Sequence, residues 1–214
     1  MVAQLQLLAE SVIAGRRADA DRETREALAG GVSPRAILAE GLIAPMAEVG
    51  ARFERGEFYV PEMLVAARAM QAGLAVLKPH LAEGGVQMRG KVVIGTVKGD
   101  LHDIGKNLVA MMLEGAGFEV IDLGTDVAPE KFAAAVREHK PSLVGMSALL
   151  TTTMKAMQPT IEAIEDIGLR TQVKVLVGGA PITEDFAKSI GADGYAADAS
   201  RAVAIAKSLS PDRP

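Results

Sequence analysis

The chain has no cysteine and no tryptophan, and aromatic residues make up only 3% of its 214 positions. Without cysteine, disulfides and thiolate metal sites are excluded. With so few rings, the core must be built from Ala, Leu, Val, Ile and Met, inside a hydrophobic share of 49%. Basic charge is not in excess either. The formal net charge is −4, which argues against a nucleic-acid partner. No basic segment followed by a short apolar core opens the sequence, and no apolar run approaches ~20 residues. The expectation is a soluble, unexported, cytoplasmic protein with no membrane partner. The length suits one large domain or two small ones.

What is present is organised around Lys91–Met112, KVVIGTVKGDLHDIGKNLVAMM. Val92, Val93, Ile94 and Val97 form a β-branched run ending at Lys98-Gly99, followed by a polar turn with Asp100, His102, Asp103 and Gly105. A helical apolar pattern then runs through Leu108, Val109, Met112 and Leu113. Strand, turn and helix in that order make a βα unit. In open α/β sheets ligands bind outside the carboxyl ends of the strands, which puts His102 on the binding edge, two residues from a carboxylate. Histidine is a common metal ligand, and a carboxylate on its second ring nitrogen sets the tautomer. Asp100 and Asp103 are both placed for that role, and Gly105 permits close approach of a bulky ligand. The competing reading is an N-capping Asp and a surface His at a helix start.

Residues 1 to about 88 read as helices. Leu5, Leu8, Val12 and Ile13 share one face, with Gly15 as the stop. Asp19 to Ala29 is a second helix, ended by Gly30-Gly31, and Ser33-Pro34 opens a third. Pro45 lies inside the third pattern and should kink or break it. Gly56 ends it, and Val60-Pro61 opens the last helix. Short connections suggest an antiparallel four-helix bundle. Pro79, Gly84, Gly85 and Gly90 mark a candidate linker over about 79 to 90.

Residues 89 to 214 alternate strands and helices. Strands are expected at Val92–Thr96, Phe118–Leu123, Ser142–Met146, Val173–Val177 and near Gly194–Ala196. That alternation argues for a parallel, doubly wound sheet, five strands suggest the flavodoxin-like form, and no GxGxxG follows the first strand. Loops after later strands carry Ser147-Ala148-Leu149 with Thr151, then Gly178-Gly179, then the segment Tyr195–Ser200. Missing side chains at Gly178-Gly179 should leave a slot. Each loop has an ordinary explanation as well, because small residues let helices pack close and Ser or Thr caps them.

Asp100-x-His102-x-x-Gly105, within GTVKGDLHDIGKN, resembles the cobalamin-binding signature of corrinoid proteins in methyltransferase systems and of the cobalamin region of methionine synthase. The stretch EGLIAPMAEVGARFERGEFYVPEMLVAARAM resembles the helical cap that precedes that domain. The resemblance runs from about Glu40 to Ala206. It implies cobalamin bound base-off, with His102 replacing the cofactor's own benzimidazole below cobalt. It implies further contacts from Gly99, Asp100, Asp103, Ile104 and Gly105. Ser147, Leu149 and Thr151 would hydrogen-bond or line the displaced base, with Gly178, Gly179, Tyr195 and Ala199 around the nucleotide tail. Phe53 and Val60 fall on the capping positions over the upper corrin face, with Met63 beside them. A relay behind Asp100 would use Thr153, where the family has Ser. Lys98 and Lys106 are expected to face solvent or corrin amides, with no role assigned.

The implied activity is a methyl carrier cycling between Co(I) and methyl-Co(III). Its partners would be a substrate-specific methyltransferase, an acceptor methyltransferase using tetrahydrofolate or a thiol, and a reductive activase. Methanol, methylamine, glycine betaine and aryl methyl ether systems all use carriers of this order. The chain is too short to add a (β/α)₈ barrel of roughly 250 residues, which points to a carrier subunit rather than a stand-alone enzyme. Two other classes share parts of the pattern. An adenosylcobalamin sensor would need an output module and the Trp and Glu-His cap pattern, and neither is seen. A mutase small subunit would lack the helical cap.

Overall fold

The structure is a computed structural model, described here for residues 2–83 and 88–210. It divides into two compact units, one of Met1–Gln87 with Gly115–Gly117 and one of Met88–Glu114 with Phe118–Pro214.

The first unit is helical. Helix α1 (Val2–Ile13) ends at Gly15, whose φ of +69° is the left-handed turn a glycine supplies. Helix α2 (Arg17–Ala29) follows, and Val32 is buried after it. The Ser33 hydroxyl accepts from the Ala36 amide at 3.3 Å and opens α3 (Pro34–Ala36), as the Ser-Pro pair predicts. The expected disturbance at Pro45 takes a specific form. A π-helical stretch, Ile37–Ile43, leads into α4 (Ala44–Glu54), with Pro45 in the first turn of α4. A wider turn before the ring removes the clash a continuous α-helix would have.

Helix α5 (Val60–Glu83) is longer than the sequence suggests. Pro79 does not open a linker; it lies inside this helix. Near a C-terminus, on an exposed face, a proline costs one backbone bond that water replaces. Gly90 likewise belongs to the first strand, and Gly84 and Gly85 lie outside the described residues. By length and composition alone Val60–Leu81 could cross a membrane, against the expectation of no such run. It packs on α1, α2 and α4, and Met63, Ala66, Ala67, Met70 and Leu77 are buried. An apolar bundle-core helix meets the same criterion.

The second unit is the expected doubly wound sheet. Strands β1 (Gly90–Thr96), β2 (Phe118–Asp122), β3 (Leu143–Ser147), β4 (Lys174–Gly178) and β5 (Gly194–Ala196) are all parallel, in the order β2-β1-β3-β4-β5. This is the flavodoxin-like order. Helices α6 (Ile104–Gly115), α7 (Pro129–His139), α8 (Met157–Asp166), α9 (Glu184–Ser189) and α10 (Ala199–Leu209) connect and flank the strands. Strands buried on both faces read as continuous apolar runs, and β1 shows why: Val92, Val93, Ile94, Gly95, Thr96 and Val97 are all buried.

Phe132 on α7 anchors one sheet face, packed with Val93, Val97, Val127 and Val136. It lies over Gly95, where an added Cβ would come within 2.8 Å of its ring. Glycine in β1 thus makes room for one of the few aromatic rings the chain has. Phe132→Ala should cost about 3–5 kcal/mol in urea unfolding. A loss below ~1 kcal/mol would contradict this packing role.

Candidate functional site

The register places the ends of three strands side by side. Thr96 pairs with Ser147, and Ser147 pairs with Gly178. The loops beyond these residues form the carboxyl edge of the sheet, where the βα order places a ligand.

Asp100 sits at the centre. Its carboxylate is fully buried, while the His102 side chain is 52% exposed. Oδ1 accepts from the His102 amide at 3.0 Å and lies 2.7 Å from His102 Nδ1. Oδ2 accepts from the Thr153 hydroxyl at 2.6 Å and from the Leu149 amide at 2.7 Å. Burial alone would raise this carboxyl. The bonds from Thr153, the Leu149 amide and His102 overcome that and hold it well below the usual carboxylate range. An ionised Asp100 can only accept, so Nδ1 carries a proton, and in the neutral imidazole the lone pair is then on Nε2. Nε2 has no protein partner among the described residues. The Thr96 hydroxyl donates to the His102 carbonyl at 2.8 Å, tying the loop back to the end of β1.

Around this imidazole the surface is apolar in an unusual way. Leu101 is 74% exposed and Ile104 79%, and Leu149 and Leu150 are exposed on the loop that Asp100 holds. Water is a poor neighbour for so many large side chains beside one free nitrogen. Gly105 adds to this, since a Cβ there would meet nothing within 4 Å and its φ is not in the left-handed region. The fold's own packing does not require glycine here. A free imidazole nitrogen, an apolar rim and open space at Gly105 suit a flat macrocycle carrying a metal.

The remaining candidates fall in several places. Gly99, with φ +83°, forms the turn before Asp100. The exposed Asp103 accepts from the Asn107 side chain at 3.0 Å, so it faces its own helix and not His102. Ser147 is half-buried and Thr151 exposed. Gly178 and Gly179 do not leave the expected slot. An added Cβ at Gly178 would lie 2.9 Å from the Ala196 carbonyl oxygen, and at Gly179 1.8 Å from that of Ala148. These glycines let neighbouring chains close together. Tyr195 is half-buried on β5, and Ala199 is buried at the start of α10, where Asp198 caps the Arg201 amide. Beside Ala199, the buried Ser200 hydroxyl oxygen has no hydrogen-bond partner among the described residues, so it is open to a polar ligand group. In the helical unit Val60 is exposed, Phe53 half-buried and Met63 buried. Met63 is therefore a core side chain in this state rather than a surface one.

Sequence reasoning missed three features. Leu101 and Leu150 carried a signal, being large apolar residues inside polar turns. Lys106 is buried, not solvent-facing; its ammonium ion-pairs with Asp122 and donates to Asn107 Oδ1 at 2.6 Å. Asp126 binds the Gly99 amide from a different loop.

Because folding depresses the Asp100 carboxyl below its unfolded value of about 3.9, its stabilisation is present above roughly pH 4 and lost as pH falls toward the folded value. Asp100→Asn should be less stable than the parent chain at neutral pH, and the gap in urea unfolding should close on acidification. A gap that widens would contradict the network. Thr153→Ser should keep the donor and the stability, whereas Thr153→Val should cost about 1.5–3 kcal/mol.

A family model described as a B12 binding domain matches residues 90–204, and a second of the same description matches residues 4–78. The dimethylamine corrinoid protein of Methanosarcina barkeri is 46% identical over 206 residues, 96% of each chain. A trimethylamine corrinoid protein of Methanosarcina mazei is 48% identical over 184 residues, 85% of this chain and 84% of that one. Among solved structures, a cobalamin-binding protein from Desulfitobacterium hafniense superposes with TM-score 0.76 at 32% identity, covering 97% of this chain and 98% of that one. A chain of the methanol:cobalamin methyltransferase complex of Methanosarcina barkeri superposes with TM-score 0.83 at 28% identity, covering 97% and 79%. The chain belongs to the family of B12-binding corrinoid proteins.

Proposed function

We propose that His102 is the lower axial ligand of a base-off cobalamin, and that the chain carries a methyl group between two methyltransferases. The observation that carries this reading is the His102–Asp100 contact. It orients the imidazole, fixes the proton on Nδ1 and leaves Nε2 available on a half-exposed ring. When bound, the corrinoid supplies a cobalt that accepts a methyl group as Co(I) and yields it from methyl-Co(III). The protein's part is to bind, orient and exclude water. Asp100 stays ionised and, with Thr153 behind it, holds the imidazole ready for the metal. Leu101, Ile104 and Leu149 supply apolar contact beside the ligand. The buried Ser200 hydroxyl and the small residue Ala199 favour the nucleotide-tail assignment for that end of the sheet. Gly178 and Gly179 let neighbouring backbone close together there, and Tyr195 on β5 would contact the same tail.

In this reading residues 89 to 214 form the cobalamin-binding domain. Residues 1 to 88 form a cap, with Phe53 and Val60 serving the upper corrin face and Met63 supporting them. A cap of a few apolar side chains can lift when a partner must reach the methyl group. The relatives named for dimethylamine and trimethylamine favour a methylated amine as donor, delivered by a substrate-specific methyltransferase. The acceptor would be a second methyltransferase with a thiol or tetrahydrofolate substrate. A reductive activase would restore Co(I), and all these exchanges would take place in the cytoplasm.

Absorbance spectra of the protein reconstituted with methylcobalamin test the ligand. The parent chain should retain the cofactor with a histidine-ligated spectrum. His102→Ala should show a base-off spectrum without a protein ligand, with retention weakened by tenfold or more, as the loss of one metal-ligand contact implies. An unchanged spectrum in His102→Ala would refute the assignment.

A further inference from the structure

Asp126 is a non-glycine residue held in the left-handed region, with φ +52°. Such residues are uncommon, and Asp is among those that tolerate the conformation. Its place is fixed by the sheet. Beyond the end of β2, the chain continues to pair with β1: the Thr96 amide donates to the Gly124 carbonyl at 2.9 Å, and the Val127 amide to the Thr96 carbonyl at 3.0 Å. A further parallel bridge joins Val97 and Val127. Asp126 therefore rides on an extension of the ladder, not on a free loop.

From there it grips the turn that carries Asp100 at two points. Its main-chain amide donates to the Asp100 carbonyl at 2.9 Å. Its carboxylate Oδ1 accepts from the Gly99 amide at 2.8 Å. The turn is closed by the Asp100 amide donating to the Val97 carbonyl at 3.1 Å, and Gly99 itself has φ +83°. The exposed Lys98 lies 3.2 Å from Asp126 Oδ1 across the same turn. Both left-handed residues lie in connections beyond the strand ends, Gly99 after β1 and Asp126 after β2. Together they define where the Asp100 backbone points, and hence where its carboxylate meets His102. A strained, over-determined residue next to a site is the expected sign of such a device.

We infer that Asp126 is a positioning residue for the cobalt ligand: its amide and carboxylate clamp the Gly99–Asp100 turn and so hold His102 in the Nδ1–H tautomer, which leaves Nε2 free for the metal. This rests on the reading of His102 as the axial ligand, but the clamp itself is a property of the protein alone and can be tested without cofactor.

Three measurements decide it. In the cofactor-free protein, long-range ¹H–¹⁵N correlation of the histidine rings should show His102 as a single Nδ1–H tautomer. Asp126→Asn retains an acceptor oxygen and tolerates positive φ, and should keep that tautomer. Asp126→Gly relieves the backbone and removes the acceptor, and should give averaged ring shifts from mixed tautomers. The same variant should release methylcobalamin about tenfold faster. A wild-type tautomer in Asp126→Gly would overturn the inference, as would an Asp126→Asn variant as disturbed as Asp126→Gly. Should Asp126→Gly fail to fold, hydrogen exchange of the parent chain still decides. The Gly99 amide belongs to an exposed residue, yet should exchange about tenfold or more slowly than an open amide. Free exchange at Gly99 would overturn the clamp. Failure of cobalt to bind His102 would instead show as a normal cofactor-free tautomer with no histidine-ligated spectrum in the parent chain, which separates the two claims.

Discussion

The site depends on one buried carboxylate. Asp100 collects bonds from its own turn through His102, from the loop after β3 through the Leu149 amide, and from Thr153 at the foot of the next helical segment. A charge without water is tolerated only when its lone pairs are filled, and here four donors converge on two oxygens. The result is a carboxylate that stays ionised and a histidine with one possible tautomer. Two segments far apart in sequence, the Asp100–His102 turn and the stretch from Leu149 to Thr153, are thereby joined behind the imidazole proposed to bind cobalt.

Around that centre the fold divides the work. The parallel sheet, with Phe132 seated over Gly95, supplies a rigid edge. The loop after β1 presents the imidazole, and the exposed Leu101 and Ile104 beside it would otherwise face water. On the other side of β1, the chain after β2 extends the ladder and places Asp126 against Gly99. Lys106, buried and paired with Asp122, ties the first turns of α6 to the end of β2. Residues that look like ordinary loop and helix surface in sequence thus act as braces for the turn.

Much of this was legible in the sequence because it is local. The β-branched run of β1, the turn glycines and the Ser33 cap each act over a few residues, and the parallel sheet follows from the alternation of strands and helices. Asp100 and His102, two residues apart, could be read as a pair. Thr153 could be placed only through the family pattern, because 53 residues separate it from Asp100. Contacts of that kind leave no local trace. A lysine beside a turn is usually solvated, and only the spatial position of Asp122 offsets the cost of burying Lys106. Gly178 and Gly179 were read as an open slot, whereas backbone oxygens of Ala196 and Ala148 occupy the space. Pro79 marked a boundary by type but stands near a helix end, where it does little harm.

The most direct measurement is electron paramagnetic resonance of the Co(II) form of the loaded protein, grown with ¹⁴N- or ¹⁵N-histidine. One axial imidazole nitrogen from the protein predicts a three-line splitting that becomes two-line with the ¹⁵N label and disappears in His102→Ala. A splitting indifferent to the histidine label would mean that the cofactor's own base, not His102, sits beneath cobalt, and would contradict the account.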